Sequence, residues 1–191
     1  MGLAAQRRMT YEEYLTFEEA SAERHAYIDG ALFAMAGASP AHARLQARLI
    51  ARLDQGLEGA CAAYGPDLRI YFPDEGTAAY ADAVVVCGPV VPPTTDRNAC
   101  TNPTIVCEVL SPSTEGFDRG RKFESYRGLA SVQEVVFVTQ SRPIIEVFRR
   151  ESDGSWRLRS YGAGGRAELA SVALHLDVDA MYVGLLGAAS G

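Results

Sequence analysis

Lysine is almost missing from this chain: of eighteen basic residues, seventeen are arginine and one, Lys122, is lysine. A chain of this composition writes arginine wherever positive charge alone is needed. Lysine differs by its compact ammonium, its flexible stem and a pKa that burial shifts, whereas a guanidinium stays charged. The lone lysine marks either a position that requires a primary amine or an accident on a solvated helix face. The neighbouring motifs must decide.

Other absences narrow the class. No C-x-x-C spacing connects Cys61, Cys87, Cys100 and Cys107, so isolated buried thiols are expected rather than a zinc site or a disulfide framework. The first nine residues carry two arginines and no apolar core, and they do not read as a secretory signal. The longest apolar stretches are strand-sized, far short of the roughly 20 residues that cross a bilayer. No membrane partner is expected, and cytoplasm is the default compartment. There is no basic excess either. A net charge of −6 argues against a general nucleic-acid coat, but it leaves a nuclease open, because divalent cations in a carboxylate site invert the local field.

What is present suits one globular domain over residues 1–191. The chain is 48% hydrophobic and 22% charged, enough for a substantial core. Thr10-x-x-Glu13 is a capping box that opens a short helix to about residue 19. Asp29-Gly30, between apolar stretches at 24–29 and 31–36, signals a hairpin. Ser39-Pro40 then opens a long helix, with Leu45, Leu49, Leu53 and Leu57 on the row that should face a sheet. Arg44, Arg48 and Arg52 form a second row, solvated or facing a partner. Strands are expected at 67–72, 79–87 and 103–110, then a helix over about 117–129. Further strands follow at 134–139, 144–150, 155–161 and 172–176, with a last helix opened at Asp177 or Asp179. Mixed strands and helices with antiparallel hairpins at both ends indicate an α/β (α+β) fold.

Two of these strands carry an acid where a core strand should be apolar. They are Asp82 in Tyr80-Ala-Asp-Ala-Val-Val-Val-Cys87 and Glu108 in Thr104-Ile-Val-Cys-Glu-Val-Leu110. A buried unpaired carboxylate costs several kcal/mol, in rough terms, even after relaxation. The compensating group is either an arginine, giving a structural ion pair, or a divalent cation, which takes oxygen ligands and keeps several waters. Two acids on a metal with an ammonium beside it form an arrangement able to cleave a phosphodiester. The metal polarises the phosphoryl group, and the amine orients or deprotonates water or stabilises the growing charge. His42, in the first turn of the long helix, reads first as a hydrogen-bonded structural residue.

The chain here resembles a known family. Asp82, Glu108 with Val109-Leu-Ser-Pro-Ser-Thr114, and Asp118-Arg-Gly-Arg-Lys122-Phe-x-x-Tyr126 are similar to the restriction-endonuclease-like Uma-two family of the PD-(D/E)XK nuclease superfamily. The likeness extends from Tyr11-x-x-Tyr14 through Asp29-Gly30, Ser39-Pro-x-His42 and Asp67-Leu-Arg69 to Arg149 and Asp179-x-x-Tyr182. It implies a restriction-endonuclease-like mixed β-sheet flanked by helices. It also implies Mg2+ or Mn2+ as cofactor, DNA as substrate, metal ligation by Asp82 and Glu108, and Lys122 as the catalytic amine. Cleavage of both strands by a single-site fold of this size further implies a homodimer.

The departures from the pattern are specific. Leu110 stands where the superfamily usually has its lysine, and the resemblance implies that the amine has moved to Lys122 on the helix. Ala81 replaces a proline, and Thr139 replaces an acid. Ala26 stands where a glutamate is expected, three residues before Asp29. These losses keep a second reading in view: a nuclease fold that binds nucleic acid or protein without turnover.

Overall fold

The computed structural model describes residues 8–35 and 38–185. The predicted capping box forms: Thr10 Oγ1 accepts from the Glu13 amide at 3.2 Å, and the Glu13 carboxylate accepts from the Thr10 amide at 2.9 Å. Helix α1 (Tyr11–Ala20) follows. Strands β1 (His25–Ile28) and β2 (Ala31–Ala34) make the hairpin. Its turn residues Asp29 and Gly30 both have positive φ, 51° and 78°, the requirement of the two-residue turn that matches strand twist. The second strand ends two residues earlier than expected, and position 36 lies outside the described residues. Helix α2 (Pro40–Gly56) starts at Ser39, whose hydroxyl accepts from the His42 amide, and it buries Leu45, Leu49 and Leu53 completely.

The remaining strands are β3 (Cys61–Tyr64), β4 (Arg69–Phe72), β5 (Thr77–Tyr80), β6 (Ala83–Cys87), β7 (Ala99–Cys100), β8 (Ile105–Leu110), β9 (Glu134–Thr139), β10 (Ile145–Arg150), β11 (Trp156–Tyr161), β12 (Arg166–Leu169) and β13 (Leu174–Asp177). They form a five-stranded sheet in the order β2-β1-β5-β4-β7, a six-stranded sheet in the order β11-β10-β9-β8-β6-β3, and the β12-β13 pair. Within the six-stranded sheet only β8 and β9 run parallel. A parallel pair needs a crossover. Here it consists of α3 (Glu115–Phe117), a π-helical turn (Asp118–Lys122) and α4 (Phe123–Gly128). The fold is a mixed α+β architecture of this kind, with the central sheet flanked by helices.

Both faces of the six-stranded sheet are covered. One packs Val85, Ile105, Cys107, Val136 and Val138 under the α2 leucines, β12–β13 and α5 (Val178–Tyr182). The other packs Val84, Val106, Val135 and Phe137 against Ile70, Phe72 and Tyr126. Two-sided burial explains why these strands read as unbroken apolar runs.

Three expectations need correction. The stretch 79–87 is two strands in different sheets, β5 and β6, and the chain crosses between them at Ala81-Asp82. The expected helix 117–129 begins at Glu115 and contains a π turn. Cys61 and Cys87 are joined by a disulfide rather than buried as separate thiols. The unforeseen strand β3 runs antiparallel to β6 with Cys61 directly opposite Cys87. Cys100 and Cys107 are free and buried as expected.

Buried polar groups away from the α2 face fasten the ends of the structure. Arg69 pairs with Asp96 and donates to the Tyr80 hydroxyl at 2.9 Å, while Tyr11 donates to Asp96 at 2.8 Å, tying α1 to the five-stranded sheet. Glu134, fully buried, accepts from Arg149 Nε at 2.8 Å, from the amides of Ala170 and Ser171 and from the Ser171 hydroxyl. Glu134→Ala should leave the Ala170 and Ser171 amides and the Ser171 hydroxyl without their acceptor, with Glu168 the remaining partner of Arg149, and destabilise the protein by about 1–3 kcal/mol. Urea unfolding followed by circular dichroism measures this. A loss within about 0.5 kcal/mol would show that the network is not structural.

Candidate functional site

The switch between sheets at Ala81-Asp82 puts a carboxylate where backbone and side-chain donors converge. Asp82 Oδ2 accepts from the Val109 amide at 2.7 Å. Its Oδ1 accepts from Gln46 Nε2 at 2.6 Å and lies 2.9 Å from His42 Nε2. His42 and Gln46 are one turn apart on α2 and therefore share a face. Asp82 immediately precedes β6, which pairs with β8, with Ala83 opposite Cys107. Glu108 in β8 is thus brought beside Asp82. Both acids line one cavity of about 420 Å³, together with Ala26, Phe33, His42, Gln46, Phe117, Asp118 and Lys122.

The crossover returns Lys122 to the end of β8. Its ammonium donates to Glu108 Oε1 at 2.9 Å and lies 3.2 Å from Asp118 Oδ1. Tyr126 Oη donates to the same Glu108 oxygen at 2.5 Å. Among the described residues Glu108 Oε2 accepts no hydrogen bond. The cluster is nearly sealed: Asp82 is 7%, Glu108 2% and Lys122 5% exposed. The lone lysine is therefore not a solvated helix-face residue.

Burial and charge act in opposite directions here. Burial pushes the Glu108 carboxyl up to about 8, with Lys122 opposing and the charges of Asp118 and Asp82 adding to the rise. Burial disfavours the Lys122 ammonium, but Glu108 and Asp118 outweigh it, so its pKa is raised. The hydrogen bond to Asp82 raises His42 despite desolvation. In the coupled Glu108–Lys122 pair the neighbouring carboxyl groups hold the proton on the amine. A protonated amine has no lone pair with which to act as a base.

Two carboxylates facing a common cavity, one with an oxygen that accepts no hydrogen bond, suit a hard cation that retains waters, as Mg2+ does. Among the described residues, no group of three or more His, Cys, Asp and Glu is arranged to hold a metal. The position where the resemblance expects a third acid is Ala26, in the cavity wall. Glu23 is exposed and does not line this cavity. Thr139, buried at the end of β9, is not among the cavity residues, and its hydroxyl has no hydrogen-bond partner among the described residues.

The sequence singles out Asp82, Glu108 and Lys122 but not all of their partners. His42 is hydrogen-bonded, as expected, and its partner is Asp82, whereas nothing in the sequence by itself announces Gln46 or Asp118 as partners of the acids and the lysine. Their signal was spacing. His42 and Gln46, like Asp118 and Lys122, are four residues apart, but this pattern is common on helices and acquires meaning only once the acids are located.

The comparisons agree with this architecture. Residues 11–180 match the model of the Uma2 family, described as "Putative restriction endonuclease". An uncharacterized protein of Synechocystis sp. is 36% identical over 182 residues, covering 93% of each chain. A second from the same organism is 32% identical over 161 residues, covering 83% of this chain and 90% of its own. The fold is also similar to a crystal structure from Anabaena variabilis described as "a putative nuclease belonging to DUF820". That match has a TM-score of 0.75 at 17% identity and covers 93% of this chain and 99% of the other. No helix among the described residues is long and apolar enough to cross a membrane. With nearly its whole length matched in order, the chain belongs to the Uma2 family of restriction-endonuclease-like proteins.

Proposed function

We propose that this protein is a metal-dependent endonuclease that hydrolyses DNA phosphodiester bonds, acting in the cytoplasm as a homodimer. The observation that carries the proposal is the convergence of Asp82, Glu108 and Lys122, from three separate segments, on one cavity. Asp82 and Glu108 would hold Mg2+ or Mn2+. When bound, the cation supplies Lewis-acid polarisation of the phosphoryl group. His42, Gln46 and the Val109 amide fix the Asp82 carboxylate, while Tyr126 and Lys122 fix Glu108. Lys122 presents a proton-bearing ammonium that stabilises charge growing on the phosphoryl oxygens or positions the attacking water.

A second reading, a nuclease fold that binds nucleic acid or protein without turnover, is favoured by one observation: Ala26 in the cavity wall. Calorimetric titration with manganese separates the two. Wild type should bind the ion, and Asp82→Ala should weaken binding at least about 10-fold, the scale for losing a direct ligand or its supporting group. Cleavage of supercoiled plasmid and single-stranded DNA should be lost in parallel. Neither binding nor cleavage by wild type would favour the second reading. Light scattering at working concentration tests the dimer, and a monomer would count against it.

A further inference from the structure

Beside the acids, the same cavity has a wall that metal chemistry does not use. Phe33 lies on β2 directly opposite Ala26 on β1, so the two side chains share one face of the hairpin. Alanine at that position leaves a recess next to the ring. Phe33 is 42% exposed and meets Phe117 at 5.4 Å between ring centroids, tilted by 31°. Phe117 in turn lies 6.0 Å from the Lys122 ammonium. Phe33 also lines a second hollow, of about 530 Å³, which contains Arg8 and Arg121. Arg121 is paired with Asp29 at the hairpin turn, which ties that turn to the π-helical segment.

We propose that Phe33, backed by Phe117, is a stacking shelf for one unpaired base, and that the substrate is a single strand. The inference rests on the nuclease reading for its phosphate-bearing ligand class and adds the state of the strand. Three features favour it. The acids are almost wholly buried, and a rigid duplex keeps its phosphates on a cylinder surface, whereas a flexible strand can follow a pocket. Stacking on an aromatic ring holds any base without reading its sequence. The hollow across Phe33 holds Arg8 beside the Arg121–Asp29 pair, and the charge of Arg8 complements a neighbouring phosphate despite the net charge of −6.

The test uses a short DNA strand with 2-aminopurine at one position, alone and annealed to its complement, with the Glu108→Ala protein so that binding is read without turnover. The single strand should bind at least about 10-fold more tightly than the duplex, and its fluorescence should be quenched by stacking. In the same background Phe33→Ala should weaken single-strand binding roughly 5- to 150-fold, the scale of one base–aromatic stack. Phe33→Leu should behave like Phe33→Ala, and Phe33→Trp should retain binding. Leu158→Ala, a change at an exposed apolar residue on β11, should alter nothing. Because Phe33 is partly exposed, circular dichroism should find these variants folded.

Equal affinity for strand and duplex, no binding of the strand, or unchanged affinity in Phe33→Ala would each overturn the proposal. The two readings fail separately. Ring-dependent binding by a protein that cleaves nothing with any divalent ion supports the shelf and removes the nuclease. Metal-dependent cleavage that is indifferent to Phe33 keeps the nuclease and removes the shelf.

Discussion

Lys122→Arg is expected to retain the fold and the positive charge yet lose roughly 10²-fold or more of metal-dependent cleavage, the scale for removing a positioned acid–base or charge-stabilising group. The reason is geometric. The ammonium fits between Glu108 Oε1 at 2.9 Å and Asp118 Oδ1 at 3.2 Å inside a sealed cluster. A planar guanidinium presents its donors as a fork and needs more room. Overpacking should also lower stability by about 1–3 kcal/mol, so urea unfolding must accompany the kinetics. Manganese affinity should change little, since the amine is not a ligand and its charge is kept. Single-turnover cleavage of plasmid and single-stranded DNA reads the effect, with Glu108→Ala as the control for a contaminating nuclease. Equal rates for wild type and Lys122→Arg would remove the catalytic role and leave Lys122 as the counter-ion that makes burial of Glu108 tolerable.

That structural role was only half legible in the sequence. The scarcity of lysine singled out Lys122, and the apolar context singled out Asp82 and Glu108, because a buried acid is costly and therefore conspicuous. The sequence offered an arginine or a metal as the compensating partner of each acid. The observed protein partners are instead a lysine and a tyrosine for Glu108, and a histidine, a glutamine and a backbone amide for Asp82. Those partners come from distant segments, and no local pattern announces them.

The fold divides in the same way. The capping box, the Asp29-Gly30 turn and the leucine row of α2 are local and were readable. Strand β3 was missed because Cys-Ala-Ala-Tyr has weak strand propensity, and its place is set by pairing with β6. The break at Ala81-Asp82 is hidden because apolar residues, Ala78-Ala-Tyr-Ala81 before and Ala83-Val-Val-Val86 after, continue on both sides of it. With β3 unseen, nothing placed Cys61 opposite Cys87.

Ala26→Glu tests how the two halves of the cavity share their space. A third carboxylate beside Asp82 and Glu108 should raise manganese affinity at least about 10-fold, since hard cations gain from each added oxygen ligand. Without metal the same residue should destabilise the protein by several kcal/mol, in rough terms, because position 26 is buried and the new charge joins Asp82, Glu108 and Asp118. Saturating metal should offset part of that loss: binding to the native state adds about 2.7 kcal/mol at a hundredfold excess over Kd. Thermal unfolding with and without manganese should therefore show a larger metal-induced rise in Tm for Ala26→Glu than for wild type. Cleavage should rise if a vacant ligand position limits the wild-type rate. Position 26 also faces Phe33 across the hairpin, so the longer side chain should fill the recess beside the ring and weaken binding of the 2-aminopurine strand. A variant that gains metal and loses the base would show that the wild-type alanine exchanges ion affinity for room to hold a nucleotide. No change in either affinity would place position 26 outside the functional cavity and leave the two-acid site to stand without it.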